Sequence, residues 1–96
     1  MIKVKTTGEF DKKLENLSLD NKEIERIVSE KMELFRNNPQ DTRLRNHALK
    51  KRMKGRWAFS ITLDIRIVYE WLGENTVRFL TIGNHKDVYG KYAQKC

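Results

Sequence analysis

Apolar residues recur at helical spacing in the first half of the chain and at strand spacing in the second half. Residues 2–5 alternate apolar and basic side chains, which predicts a short N-terminal strand. Phe10, Leu14 and Leu17 follow at i, i+4 and i+7 and form one narrow apolar stripe. We therefore expect a first helix that ends near Ser18.

A second, longer helix is predicted from Asp20 onward. Asp20 and Glu23 form a variant of the capping box, in which two side chains satisfy free backbone N–H groups at a helix start. The apolar residues behind them recur at mostly helical spacing: Ile24, Ile27, Val28, Met32, Leu34 and Phe35. Pro39 disfavours helical geometry at Asn38, so this helix should end near Asn37.

The second half of the chain predicts a meander of three antiparallel strands. Large apolar residues take alternate positions over residues 57–63 and 65–71, and residues 73–75 supply a turn into a third strand at 76–82. The alternating apolar positions are Trp57, Phe59, Ile61, Leu63, Ile65, Ile67, Tyr69 and Trp71. Each strand should bury this face and leave the other face more polar.

One more strand is predicted around residues 45–50, followed by a basic loop or bend at 51–55. The sequence thus predicts an α+β fold, in which an N-terminal strand and a helical hairpin pack on an antiparallel sheet of about four strands. A chain of 96 residues has room for one domain with a small core, so we expect residues 1–96 to form a single domain.

The positive charge of the chain is concentrated in one segment. The formal net charge is +7, yet residues 1–41 and 64–96 are each nearly neutral, and no Asp or Glu occurs between them. The basic residues of the segment are Arg43, Arg45, Lys50, Lys51, Arg52, Lys54 and Arg56. Such a cluster creates a local field that concentrates phosphate, although a solvated basic hairpin without a partner has the same composition.

Several classes of protein are not expected from the sequence. No apolar run approaches the length of a membrane span, and no apolar signal segment follows Met1, so we expect a cytoplasmic protein. The lone Cys96 has no second cysteine for a disulfide or a cysteine-based zinc site. The common nucleotide-binding, metalloprotease and serine-hydrolase motifs are absent from the sequence.

The two histidines are candidates for proton transfer. His47 lies in the basic segment and His85 just after the last predicted strand, and Asp64, Arg66 and Tyr89 are polar groups expected near the sheet ends. RNA cleavage needs no metal if a base takes the 2′-hydroxyl proton, an acid protonates the leaving oxygen and cations stabilise the phosphate. Histidine suits both proton roles, and an arginine offers paired donors to two phosphate oxygens.

Each candidate also has a purely structural interpretation, which the residues alone leave open. Either histidine is then an ordinary surface residue, Arg66 pairs with Asp64 or Glu70, and Asp64 occupies a turn. The large aromatic residues of the strands are expected in the core rather than stacked on bases: Trp57, Tyr69 and Trp71.

Four short motifs follow one another along the chain: His47-Ala-Leu49, Gly55-Arg-Trp-Ala-Phe-Ser-Ile61, Asp64-Ile-Arg-Ile-Val-Tyr69 and Ile82-Gly-Asn-His-Lys-Asp-Val-Tyr89. In identity and order they resemble the RelE/ParE superfamily of bacterial toxins, and more closely its YafQ-type, RelE-like branch. The resemblance covers essentially the whole chain, because the predicted strand, helical hairpin and meander follow that family's order.

This resemblance implies a toxin of a type II toxin–antitoxin pair. Its implied activity is that of an mRNA interferase, an endoribonuclease that enters the ribosomal A site, cleaves the messenger there and so inhibits translation. The implied partners are a cognate antitoxin protein that wraps the toxin, the ribosome and mRNA. The resemblance implies no cofactor, no metal ion and no membrane.

Position by position, the resemblance places four residues at catalytic or active-site positions of the branch: His47, Asp64, His85 and Tyr89. Arg66 falls on the strand arginine that several RelE-like enzymes use to hold phosphate. The residues expected to grip messenger or ribosomal RNA are Lys50, Lys51, Arg52, Lys54 and Arg56. Two positions depart from the pattern: Ser60 stands where the YafQ type has another histidine, and Lys51 where many relatives have a glycine.

Two other functions remain open on the same scaffold. One is non-enzymatic inhibition of DNA gyrase in the manner of ParE, against which the two retained histidines argue, because gyrase poisoning requires no proton transfer. The other is a non-catalytic relative that binds RNA without cleaving it. The sequence also leaves open which of His47 and His85 acts as the base.

Overall fold

The computed structural model of the protein describes residues 1–49 and 55–84. In chain order the elements are β1 (Lys3–Thr6), α1 (Gly8–Asp20), α2 (Lys22–Asn37), a 3₁₀ turn (Thr42–Leu44), β2 (His47–Ala48), β3 (Arg56–Ser60), β4 (Ile65–Trp71) and β5 (Thr76–Asn84). Within these two ranges, neither helix has the length and apolar character needed to cross a membrane.

The strands form one sheet in the order β1-β5-β4-β3-β2. Pairs β5–β4, β4–β3 and β3–β2 are antiparallel, whereas β1 runs parallel to β5 at the far edge. This architecture confirms the predicted α+β class, with a helical hairpin packed on a mostly antiparallel sheet. The N-terminal strand joins that sheet, so the described sheet has five strands rather than about four.

The boundary between the two helices differs from the prediction. Asp20 is the last residue of α1, and Asn21 caps α2 instead, with its Oδ1 accepting a hydrogen bond from the Glu23 backbone N–H at 3.0 Å. Asparagine and aspartate cap equally well, so the pattern alone did not separate two adjacent candidates. The end of α2 at Asn37 is as predicted.

The strand predicted over residues 57–63 ends early, at Ser60. Thr62 Oγ1 accepts hydrogen bonds from the backbone N–H groups of Asp64 at 3.1 Å and Ile65 at 3.0 Å. This local turn takes the place of further backbone pairing between β3 and β4. The prediction that Leu63 lies on the buried face is therefore wrong, and its side chain is 80% exposed. The tight turn places β4 directly against β3.

Phe35 of α2 lies at the centre of the core between the helices and the sheet, and it is completely buried. Its ring stacks on Phe59 with centroids 4.7 Å apart and meets Tyr69 edge-on at 4.9 Å. Phe79 of β5 packs against Phe35 at 5.7 Å and against Phe10 of α1 at 5.4 Å. One aromatic cluster therefore joins both helices to three adjacent strands, as the apolar stripes predict.

The antiparallel pairing of β4 with β5 contains one bulge. Val68 lies opposite Thr81 and Tyr69 lies opposite Phe79, so Leu80 is an extra residue on β5. A bulge removes one backbone group from the ladder and increases the local twist. The displaced Leu80 carbonyl therefore needs another hydrogen-bond donor.

Thr7 supplies that donor while it also caps α1. Its hydroxyl donates to the Leu80 carbonyl at 2.8 Å and accepts from the Phe10 backbone N–H at 3.1 Å. The Thr7 backbone N–H bonds in turn to the Phe79 carbonyl at 3.1 Å. One residue thus fixes the start of the first helix to the bulged strand.

We expect Thr7→Ala to lower the free energy of unfolding by about 1–2 kcal/mol, because the substitution removes the helix cap and leaves the Leu80 carbonyl without its donor. Thr7→Ser keeps the hydroxyl and should retain most of the stability. Equilibrium unfolding in urea measures both variants. Equal stability of Thr7→Ala and the parent protein would contradict this assignment.

Candidate functional site

The sheet face opposite the helices carries the polar candidates. Ser60 on β3 lies opposite Arg66 on β4, and Arg66 lies opposite Gly83 on β5. His47 on β2 lies opposite Ala58, two residues before Ser60 on the same strand. Since side chains two residues apart on a strand point to the same face, His47 and Arg66 both project from the side that the helices leave uncovered.

His47 and Arg66 lie two strands and two residues apart on that face. Strands are spaced by roughly 4.8 Å and residues along a strand by about 3.4 Å, so their Cα atoms lie about 12 Å apart. The Arg66 guanidinium reaches across to Ser60 on β3, the strand next to β2, and so extends toward the strand that carries His47. A phosphodiester group bound between the two residues would be within reach of both. The arrangement presents a proton acceptor and a cation to the same anion.

Arg66 is held by a hydroxyl and not by an acid. Its Nη1 donates to Ser60 Oγ at 2.9 Å, while Glu70 accepts from Arg78 Nε at 2.8 Å. Among residues 1–49 and 55–84, Arg66 forms no ion pair, so the structural alternative of a pair with Asp64 or Glu70 is wrong. A neutral partner orients the guanidinium and leaves its charge uncompensated.

His47 lies in the two-residue strand β2, at the edge of the sheet, and its side chain is exposed. Its Nδ1 is 3.0 Å from the Arg45 backbone carbonyl oxygen. A carbonyl oxygen only accepts hydrogen bonds, so Nδ1 carries the proton and in the neutral ring Nε2 carries the lone pair. This geometry assigns Nε2 as the atom able to take a proton from a substrate.

The backbone before His47 is fixed by Asn46. Its Oδ1 accepts from the Tyr69 hydroxyl at 2.8 Å and its Nδ2 donates to the Pro39 carbonyl at 2.9 Å. Arg45 adopts the left-handed conformation, with φ of 52°, which turns the chain from the 3₁₀ segment into β2. Asn46 therefore links Tyr69 in the core to Pro39 just after α2, and it directly precedes His47 in β2.

Tyr69 remains a hydrogen-bond donor over the physiological range. Burial raises the pKa of its phenol to about 12, and the hydrogen bond to Asn46 opposes only part of that shift. The sequence predicted Tyr69 as a core residue, which its complete burial confirms. The contact of its hydroxyl with Asn46 was missed, because no periodic pattern relates residues 23 positions apart.

Asp64 lies in the turn between β3 and β4, and its side chain is exposed. Its backbone N–H bonds to the Thr62 hydroxyl, so the structural interpretation of Asp64 as a turn residue holds. The turn also fixes where β4 begins, at Ile65, one residue before Arg66. Asp64 thus helps to set the position of Arg66 through the backbone.

Arg56 at the start of β3 is half-buried and lies opposite Glu70. Its Nε is one of two buried side-chain polar atoms in the described ranges that have no hydrogen-bond partner; the other is Thr81 Oγ1. The remaining predicted site residues lie outside the described residues: Lys50, Lys51, Arg52, Lys54, His85 and Tyr89.

Comparison with known proteins places the sequence in a family. Residues 2–90 match the family model described as the YafQ bacterial toxin of type II toxin–antitoxin systems. No curated protein matches the sequence significantly.

Solved structures share the fold. YafQ from Escherichia coli is 22% identical, with a TM-score of 0.76 and coverage of 94% of this chain and 100% of that one. A copper-bound mutant toxin from Helicobacter pylori is 25% identical, with a TM-score of 0.77 and coverage of 92% and 99%. The Escherichia coli DinJ–YafQ complex gives 22% identity, a TM-score of 0.74 and coverage of 94% and 100%.

We expect Tyr69→Phe to lower the free energy of unfolding by about 0.5–1.5 kcal/mol and to shift the NMR signals of the His47 ring. The ring of Phe fills the core, whereas loss of the hydroxyl frees Asn46 from its donor. Arg78→Gln, which breaks an exposed ion pair with Glu70, should leave the His47 signals in place. Unchanged His47 signals in Tyr69→Phe would contradict the proposed link.

Proposed function

We propose that this chain, which belongs to the YafQ family of bacterial type II toxin–antitoxin toxins, is a ribosome-dependent endoribonuclease that cleaves mRNA without a metal ion. The observation that carries the proposal is the position of His47 and Arg66 on the same sheet face, opposite the helices. Nε2 of His47 is available as a base, and Arg66 forms no ion pair among the described residues. Gyrase inhibition would require neither group in this arrangement.

In the proposed reaction, His47 Nε2 takes the proton of the ribose 2′-hydroxyl. The resulting oxygen attacks the adjacent phosphorus, and the bond from phosphorus to the 5′-oxygen of the next nucleotide breaks. Arg66 stabilises the extra negative charge on the phosphate oxygens during this step. A general acid returns a proton to the leaving 5′-oxygen, and we assign this role to His85.

The products of this chemistry are a 2′,3′-cyclic phosphate, or the 3′-phosphate formed from it by water, and a 5′-hydroxyl end. Ser60 supports Arg66 and takes no proton in this scheme, so the scheme needs only two histidines. Asp64 and Tyr89 are assigned to orienting these groups. The basic residues proposed to hold messenger or ribosomal RNA are Lys50, Lys51, Arg52, Lys54 and Arg56.

We further propose a cognate antitoxin as the partner that restrains the toxin in the cytoplasm. The Escherichia coli relative has been crystallised with DinJ as a toxin–antitoxin complex. An acidic or amphipathic antitoxin segment suits a chain of net charge +7, because it gains electrostatic complementarity when it covers the basic surface. Covering this surface would also keep RNA from His47 and Arg66.

The test is a purified translation system in which messenger ends are mapped by primer extension. The parent protein should cut inside A-site codons only when ribosomes are present. His47→Ala should lower the cleavage rate by about 10²–10⁴-fold, the usual contribution of a general base. Arg66→Lys keeps the charge but loses paired donation, so its loss should be smaller than that of Arg66→Ala.

Lys12→Gln is the matched control, since it removes one exposed charge from α1 on the other side of the sheet, and it should cleave normally. Cleavage that leaves 3′-hydroxyl ends would contradict the proposed chemistry. Intact messenger together with inhibition of DNA supercoiling by purified gyrase would favour the gyrase function. Intact messenger with salt-sensitive RNA binding would favour a non-catalytic RNA binder.

A further inference from the structure

A second cationic region lies beside Arg66, in an open cleft of about 190 Å³ between α2, the 3₁₀ turn and the turn after β3. Three basic residues line it, Lys31 from α2 and Arg43 and Arg45 from the 3₁₀ turn and its end, together with Ser60 and Thr62. The volume far exceeds the roughly 10–15 Å³ that a single water needs, so the cleft admits a polyatomic anion.

One of these cations, Arg43, is already paired with an acid. Asp41 accepts from Arg43 Nε at 3.0 Å and from Arg43 Nη2 at 2.7 Å, and these hydrogen bonds lower the pKa of its carboxyl to about 2. The charge of Lys31 lowers that pKa further. Arg43 thus compensates Asp41, whereas Lys31 and Arg45 form no ion pair within residues 1–49 and 55–84.

The cleft adjoins the proposed catalytic face through two residues. Ser60 lines the cleft, and its hydroxyl also accepts the hydrogen bond from Arg66 Nη1 at 2.9 Å. Arg45 likewise belongs to both regions, since it lines the cleft and its carbonyl oxygen contacts His47 Nδ1. An anion in the cleft would therefore lie beside a phosphate held between His47 and Arg66.

We propose that this cleft is a second phosphate subsite, in which Lys31 and Arg45 hold the backbone phosphate adjacent to the one cleaved. The inference rests on the proposed function, because it takes the ligand to be single-stranded RNA. Along one RNA strand, each sugar lies between two phosphates. If the cleft and Arg66 each bind one of two successive phosphates, they fix which sugar lies between them, and they also increase the affinity for the strand. The subsite thus positions the ribose whose 2′-hydroxyl faces His47.

The test measures binding without ribosomes or cleavage. The probe is a short fluorescent single-stranded RNA whose 2′-hydroxyls are methylated, so that the strand cannot be cut. The Lys31→Gln/Arg45→Gln double variant should bind more weakly. The slope of log Kd against log salt concentration should fall by about 0.7 for the single-strand phosphate contact that is lost.

Two controls separate this subsite from general charge. Lys12→Gln removes one exposed positive charge from α1 and should leave the salt slope unchanged. Lys31→Arg/Arg45→Lys keeps both charges and should restore most of the binding. Arg43 is left intact in every variant, because its removal would leave the Asp41 carboxylate unpaired at the cleft.

A salt slope equal to that of the parent protein in the double variant would overturn the proposal, as would an equal change in Lys12→Gln. A double variant with unaltered RNA binding but weaker binding to the purified antitoxin would assign the cleft to protein carboxylates and would also overturn it. These outcomes are distinct from failure of the proposed function, in which the parent protein binds the probe but leaves messenger intact on ribosomes.

Discussion

The hydrogen bond from the buried Tyr69 hydroxyl to Asn46 is the contact on which the rest of the site depends. The phenol ring lies in the aromatic cluster around Phe35, where burial of an unpaired hydroxyl would cost about 1–3 kcal/mol. Asn46 satisfies it and, through Pro39, holds the chain that leads to β2. Tyr69 therefore contributes to the packing of the core through its ring and to the position of His47 through its hydrogen bond with Asn46.

The two faces of the sheet have different roles. The helix-covered face is apolar and closely packed, and it gives the sheet a fixed curvature through the bulge at Leu80, which Thr7 stabilises. The opposite face carries Ser60 and Arg66, whose contact is made possible by the tight turn at residues 61–64. The proposed chemistry therefore lies on the face outside the main hydrophobic cluster, where Ala58, Val68 and Thr81 are nevertheless also buried.

Two acids near this face each have a basic partner. Asp41 pairs with Arg43, and Glu70 pairs with Arg78. Arg66 instead has a neutral partner, Ser60. Because these two acids are paired, Arg66, Lys31 and Arg45 are left for the proposed binding of an external anion. The net charge of the chain alone would not identify these three residues.

The sequence by itself determined the α+β class, the two helices, the meander and the burial of Tyr69, because apolar periodicity reports which face of each element is covered. It also indicated His47 as a candidate for proton transfer and Arg66 as a candidate for phosphate binding, because of their residue types and their places in the order of motifs. Boundaries set by local hydrogen bonds were missed: Asn21 replaced Asp20 as a cap, and the Thr62 turn ended β3 before Leu63. Only the tertiary structure decided the proton position on His47, because it depends on which backbone oxygen the ring meets, here that of the nearby Arg45. The hydrogen bond from Tyr69 to Asn46 and the cleft at Lys31 and Arg45 were also decided only there, because they join residues far apart in the chain that no local pattern relates.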